Sequence, residues 1–105
     1  MNKSDTKPMK LLKQTLTSGN LWLYILTDIK RKKRSYAYVL DQEIQKKFGF
    51  RPGRVMIYLV LYKLENEGII ESAFEERRKY YTLTRKGVET LLLAKKYLKS
   101  LYNLL

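Results

Sequence analysis

The sequence predicts a mainly α-helical domain with one small β-hairpin and a long helix at its C-terminal end. Three observations carry this. Apolar residues recur at helical spacing along most of the chain. Two runs rich in β-branched and aromatic residues, 69–74 and 79–83, flank Glu75-Glu76-Arg77-Arg78. From Gly87 an apolar stripe continues without a break to Leu105.

The elements follow in order. Residues 1–18 form an arm or a lead-in helix: 1–9 are polar and include Pro8, and Met9, Leu11, Leu12 and Leu16 belong to a short helix or to the first turns of the next. Trp22, Ile25, Leu26 and Ile29 share one face of a helix that starts after Ser18-Gly19-Asn20 and runs into five cations, Lys30 to Arg34. Ser35 suits the cap of a second helix, with Tyr36, Val39, Leu40, Ile44 and Phe48 as its stripe and Gly49 as its stop. Pro52 suits the first position of a third helix, where its missing N–H costs nothing. The run from Val55 to Tyr62 is apolar throughout, as in a buried strand. Its spacing, however, continues to Leu64, and the segment ends at Gly68, so it is a helix of a length no ordinary strand has. Its inward face is expected to be Ile57, Leu61 and Leu64, with Val60 or Tyr58; Leu59 and Tyr62 lie toward the other side, either touching thymine methyl groups or packing on the first or last helix. Thr84 caps the last helix. The stripe Gly87, Leu91, Ala94, Leu98, Leu101 and Leu105 steps by four and three, which is a heptad seam. Such a seam projecting from a small domain calls for a partner, and a second copy of the chain is the simplest one.

The composition bounds the function. With 45% hydrophobic and 30% charged residues, the 105-residue chain is one globular domain with terminal extensions. No apolar run reaches the ~18 residues of a membrane span, and no signal-peptide core follows Met1, so a cytoplasmic protein is expected. There is no cysteine or histidine, which removes disulfides, nearly all zinc chemistry and every His- or Cys-based catalytic centre. The glycines are scattered and the acidic residues unpaired, so neither enzyme nor cofactor nor metal site is expected. Twenty-two Lys and Arg face ten Asp and Glu, a net charge of +12. That imbalance points to a polyanionic partner, and double-stranded DNA comes first.

Helix, turn, basic hairpin and departing helix make the order of a winged helix-turn-helix, with residues 19–84 as the DNA-binding domain and 85–105 as a dimerisation helix. Arg54 and Tyr58 then face the major groove, Arg54 either bidentate to guanine or on a phosphate. Arg77, Arg78 and Lys79 at the hairpin tip suit the minor groove. Lys32, Lys33, Arg34 and Arg51 are candidates for the backbone or for plain solvated surface. Tyr36 is either a half-buried aromatic or a hydroxyl donor to phosphate. The expected dimer interface is Leu91, Ala94, Leu98, Leu101 and Leu105, with Trp22 as core or interface. A low-specificity architectural protein that coats DNA fits the charge as well, and a pure protein-interaction module built on the last helix leaves it unexplained.

Three segments resemble the PadR family of transcriptional regulators: Ser35-Tyr36-Ala37-Tyr38-Val39-Leu40, the run from Tyr58 to Gly68, and Arg78-Lys79-Tyr80-Tyr81-Thr82-Leu83-Thr84-Arg85-Lys86-Gly87. The family usually has Gly at the place of Ala37, and small residues or Pro at those of Leu59 and Val60. The resemblance covers about residues 20–105 and is to the subgroup with one C-terminal helix. It implies a homodimer joined through that helix, often with help from the first, that binds a palindromic operator, usually to repress. It also implies, for some members, a planar aromatic effector in the dimer cavity, where Trp22, Tyr97 and Tyr102 are the candidates here.

Overall fold

A computed structural model describes residues 5–105; the start of the expected arm, 1–4, lies outside the described residues. The order is α1 (Lys7–Leu16), a 3-10 turn (Ser18–Asn20), α2 (Leu21–Lys32), α3 (Ala37–Phe48), α4 (Arg54–Asn66), β1 (Ile70–Glu75), β2 (Arg78–Leu83) and α5 (Arg85–Leu104).

The open question at the N-terminus resolves as a separate helix. The Thr6 hydroxyl accepts from the Met9 N–H at the start of α1, and Thr17, at φ −103° and ψ −91°, breaks the chain before α2. None of α1 is buried. It is tied back by the Tyr24 hydroxyl, which donates to the Leu16 carbonyl, and by the Asn20 amide, which donates to the Thr15 carbonyl.

The core is built around α2, against which α3, α4, β2 and the first half of α5 pack. Ile25, Leu26, Ile29, Leu40, Ile44, Ile57, Leu61, Ile70 and Leu91 are its fully enclosed members. Burying each such side chain contributes roughly 1.5–3 kcal/mol against leaving it in water. The inward face of α2 is Leu21, Ile25, Leu26, Asp28 and Ile29, so Leu21 takes the place expected of Trp22, which lies at the edge and is only half-buried. The carboxylate of Asp28 is enclosed among these residues and paired with Lys47 at 3.2 Å and Lys32 at 3.6 Å.

Two expected helix starts differ. Ser35 does not cap α3. Its backbone forms a bridge to Tyr81, with Tyr81 N–H to Ser35 carbonyl at 2.7 Å and the reverse bond at 3.1 Å, and its buried hydroxyl has no hydrogen-bond partner among the described residues. The cap position falls to Tyr36. Helix α4 begins two residues after Pro52, because Asp41 reaches across from α3 and accepts the Gly53 N–H at 3.0 Å. At its other end α4 closes in a Schellman arrangement: Gly68, at φ +74°, donates to the Glu65 carbonyl and Ile69 to the Leu64 carbonyl, both at 3.0 Å.

The hairpin pairs Ile70 with Leu83 through Glu75 with Arg78, leaving Glu76 and Arg77 as its turn, Glu76 at φ +60°. Thr84 then caps α5. Its hydroxyl accepts the Gly87 N–H at 3.1 Å and donates to the Gly68 carbonyl at 2.6 Å, fixing α5 to the end of α4. Gly87 passes so close to Ile69 that an added Cβ would sit 2.1 Å from its carbonyl oxygen. Gly87 and Leu91, expected on the dimer seam, are therefore turned into their own domain. Leu91 has only 1% of its surface left to offer a partner, and the outward part of the stripe begins at Ala94.

Candidate nucleic-acid interface

The period-two alternation of β2 divides its residues between two faces. Tyr81 goes inward to the core, and Lys79, on the same side, lies 3.7 Å from Glu65 of α4. Burial raises the pKa of the Tyr81 phenol above its usual value, with Lys79 opposing. Arg78 and Tyr80 face the start of α3. There the Arg78 guanidinium lies 4.2 Å over the Tyr36 ring and the Arg34 guanidinium 4.1 Å over the Tyr80 ring. The Ser35–Tyr81 bridge holds these two segments in register, so the hairpin is fastened to the helix-turn-helix at its base.

On α4, Ile57, Leu61 and Leu64 are buried and Val60 is half-buried, while Arg54, Val55, Tyr58, Leu59 and Tyr62 are exposed. Arg54 lies 4.8 Å over the Tyr38 ring, which links the first turn of α4 to the first turn of α3. Between α3, α4 and the hairpin is an open cleft of about 330 Å³ whose walls include Tyr36, Tyr38, Tyr58, Phe74, Arg77 and Arg78. The two helix starts and the hairpin thus present one continuous aromatic and cationic face. This is the arrangement that phosphate attraction and base-edge contact together require.

The expected cations are not equivalent on this face. Arg34 is hydrogen-bonded and ion-paired to Glu75, an interaction that raises its already high pKa. Arg51 lies 3.5 Å from Asp41, and Lys32 lies 3.2 Å from Glu43. Lys33, Arg54, Arg77 and Arg78 have no ion pair among the described residues. Lys33 takes φ +71° at the end of α2 and is exposed beside Arg34. Sequence reasoning weighed Tyr38 with Tyr36 as a half-buried aromatic or a hydroxyl on a phosphate, and missed Tyr80 and Phe74 as members of this face. The spacing of Arg78 and Tyr80 by two on a strand was the available signal for Tyr80. No local signal marks Glu75, Glu65 and Asp41 as the acids that occupy its cations.

The outward stripe of α5 lies elsewhere. With α1 and the start of α2 it borders a groove of about 430 Å³, lined by Leu16, Trp22, Leu23, Tyr97, Leu98 and Leu101 among others. Tyr102, grouped with Trp22 and Tyr97 by the sequence, is 79% exposed and is not part of the groove lining. No helix among the described residues is long and apolar enough to cross a membrane.

Three packed helices, a basic hairpin and a departing helix define a winged-helix protein whose cationic, aromatic face is built to meet a polyanion. The family of PadR-like transcriptional regulators matches residues 25–92. The chain belongs to this family, and is with it a DNA-binding regulator of transcription. It is similar to the structure of a PadR family transcription regulator from hypervirulent Clostridium difficile, at 25% identity and a TM-score of 0.71, covering 78% of this chain and 90% of that one. A PadR family transcriptional regulator from Eggerthella lenta shares the fold at 21% identity and a TM-score of 0.73, with 91% of this chain and 87% of that one covered. A winged-helix DNA-binding protein from STIV does so at 19% identity and 0.69, over 79% of this chain and 90% of that one. Comparison with curated protein sequences finds no match.

Proposed function

We propose that the protein is a homodimeric repressor that binds a palindromic operator in the cytoplasm. Residues 19–84 read DNA, 85–105 join the two subunits, and 1–18 lead in beside them. The observation that carries this reading is the single cleft shared by Tyr58 of α4 with Arg77 and Arg78 of the hairpin, to which Arg54 is joined through the Tyr38 ring. Helix α4 of each subunit enters a major groove, the two lying about 34–36 Å apart, and the hairpins reach the flanking minor grooves. Dimerisation runs through Ala94, Leu98, Leu101 and Leu105, with Leu93, Tyr97 and Trp22 beside them. Apart from the half-buried Ala94 and Trp22, these side chains are exposed, whereas Leu91 is enclosed. A planar aromatic effector belongs in the groove bordered by Trp22 and Tyr97.

The net charge of +12 favours a second reading, an architectural protein that coats DNA through phosphates alone. Retention of genomic fragments on the protein at about 150 mM salt, followed by sequencing, separates the two. Enrichment of one inverted repeat, preferred by roughly a thousandfold or more, supports the repressor. Uniform retention with a steep salt dependence supports the coat protein, and no retention defeats both.

A further inference from the structure

The rings of Tyr36 and Tyr80 meet edge to face, 5.5 Å between centroids at 79°. Each also carries a guanidinium, so Arg78, Tyr36, Tyr80 and Arg34 form one unbroken run across the joint between hairpin and helix-turn-helix. The two arginines differ in one respect. Arg34 has its donors directed to Glu75, whereas Arg78 has no ion pair or side-chain hydrogen bond among the described residues. A ring face attracts a guanidinium electrostatically but does not take up its five N–H donors in charge-assisted hydrogen bonds as a carboxylate does. A ring therefore fixes the direction of an arginine without neutralising it, which a carboxylate cannot do. An arginine already held has less conformational freedom to lose when an anion arrives.

We propose that Tyr36 is a positioning residue for DNA binding. The face of its ring, not its hydroxyl, holds Arg78 as a preformed fork for a backbone phosphate, and Tyr80 fixes the tilt of that ring. The inference rests on the DNA-binding reading above and adds which cation is poised and what poises it. Arg34, by contrast, is delivered to the same face already engaged.

The test uses the full chain and a labelled random-sequence duplex at about 50 mM salt. Tyr36→Phe should bind as the parent does. Tyr36→Leu should bind about two- to fivefold more weakly per subunit, the loss expected of one exposed cation–π contact. In an Arg78→Ala background, which should itself lower the salt slope by about one per subunit, Tyr36→Leu should have no further effect. In the free protein, 15N relaxation of the Arg78 Nε–Hε group should report an ordered side chain in the parent and in Tyr36→Phe, and a mobile one in Tyr36→Leu. Equal losses for Phe and Leu would make the hydroxyl the contact and overturn the proposal, as would Leu and Arg78→Ala effects that simply add. An Arg78 side chain equally mobile in all three chains overturns it without any DNA present. Absence of duplex binding by the parent would instead remove the DNA-binding reading itself.

Discussion

Replacing Gly87 with alanine should destabilise the protein, although in an open helix the same change is favourable. Its added Cβ meets the Ile69 carbonyl oxygen at 2.1 Å, the Ile69 carbonyl carbon at 3.2 Å and its Cγ2 at 3.4 Å. The obstacle is backbone, and it is not free to yield, because the Ile69 carbonyl accepts from the Thr84 N–H at 3.1 Å and Thr84 caps the helix that carries residue 87. Overpacking of this kind costs about 1–3 kcal/mol. Losing the Thr84 bond adds about 0.5–1.5 kcal/mol. Against this stands a helix-propensity gain of at most about 1 kcal/mol. The net is a loss of about 2 kcal/mol, or roughly 8–16 °C in melting temperature for a domain of this size. Thermal unfolding followed by circular dichroism at one fixed protein concentration measures it, since the proposed dimerisation would also contribute to the melting temperature. An alanine chain as stable as the parent, or more so, would refute the reasoning. It would mean that α5 can swing away from Ile69 at little cost, and that its attachment does not define the angle at which it leaves the domain.

Four other outcomes are expected. Glu75→Gln removes the acid that engages Arg34, and the salt slope of duplex binding should steepen by about one per subunit; an unchanged slope would show that Arg34 never reaches DNA. Asp41→Ala leaves the Gly53 N–H without its acceptor and should cost about 1–3 kcal/mol in urea unfolding, so an unchanged midpoint would remove Asp41 as the organiser of the α3–α4 turn. Leu98→Glu with Leu101→Glu should leave helicity intact but sediment at the single-chain mass of 12.6 kDa, and a persistent dimer would move the interface away from the outer half of α5. The Glu43 carboxyl is held below its ordinary pKa, first by its hydrogen bond to Lys32 and then by the charges of Lys32, Lys47 and Lys46, against desolvation. Its contribution is present in full above the ordinary glutamate value and is lost as pH falls through the lowered one, so Glu43→Gln should unfold less steeply with acid than the parent; parallel acid curves would sink the assignment.

What could be foreseen from the residues divides along physical lines. Gly68, Thr84 and the alternation of the hairpin are local signals, and each appears where local chemistry puts it, in the Schellman close, the cap and the strand pairing. Ser35 looks like a cap because the local pattern is right, but its backbone is taken by Tyr81, 46 residues on (81 − 35), and no short-range pattern announces that. Leu91 fits a heptad because periodicity gives the spacing of a stripe and not which neighbour covers it. The proximity of Gly87 to Ile69 decides that its upper part belongs to the domain. The cations of the candidate face, Arg34, Arg51, Arg54, Arg77 and Arg78, stand out in the sequence as a set. Their ranking does not, since Glu75 and Asp41 reach Arg34 and Arg51 only after folding.

That ranking has a kinetic side. A protein with net charge +12 is drawn to DNA from a distance, so the rate of arrival is set by the whole molecule. Departure is governed at shorter range. A phosphate that engages Arg34, Arg51 or Lys79 does so by displacing Glu75, Asp41 or Glu65, and the displaced carboxylate stays within a side chain's reach. Each such contact is an exchange with the reverse partner always at hand, which shortens its lifetime without slowing its formation. Arg54, Arg77 and Arg78 have no such competitor among the described residues, and on the proposed interface the residence time on a site is expected to rest on them.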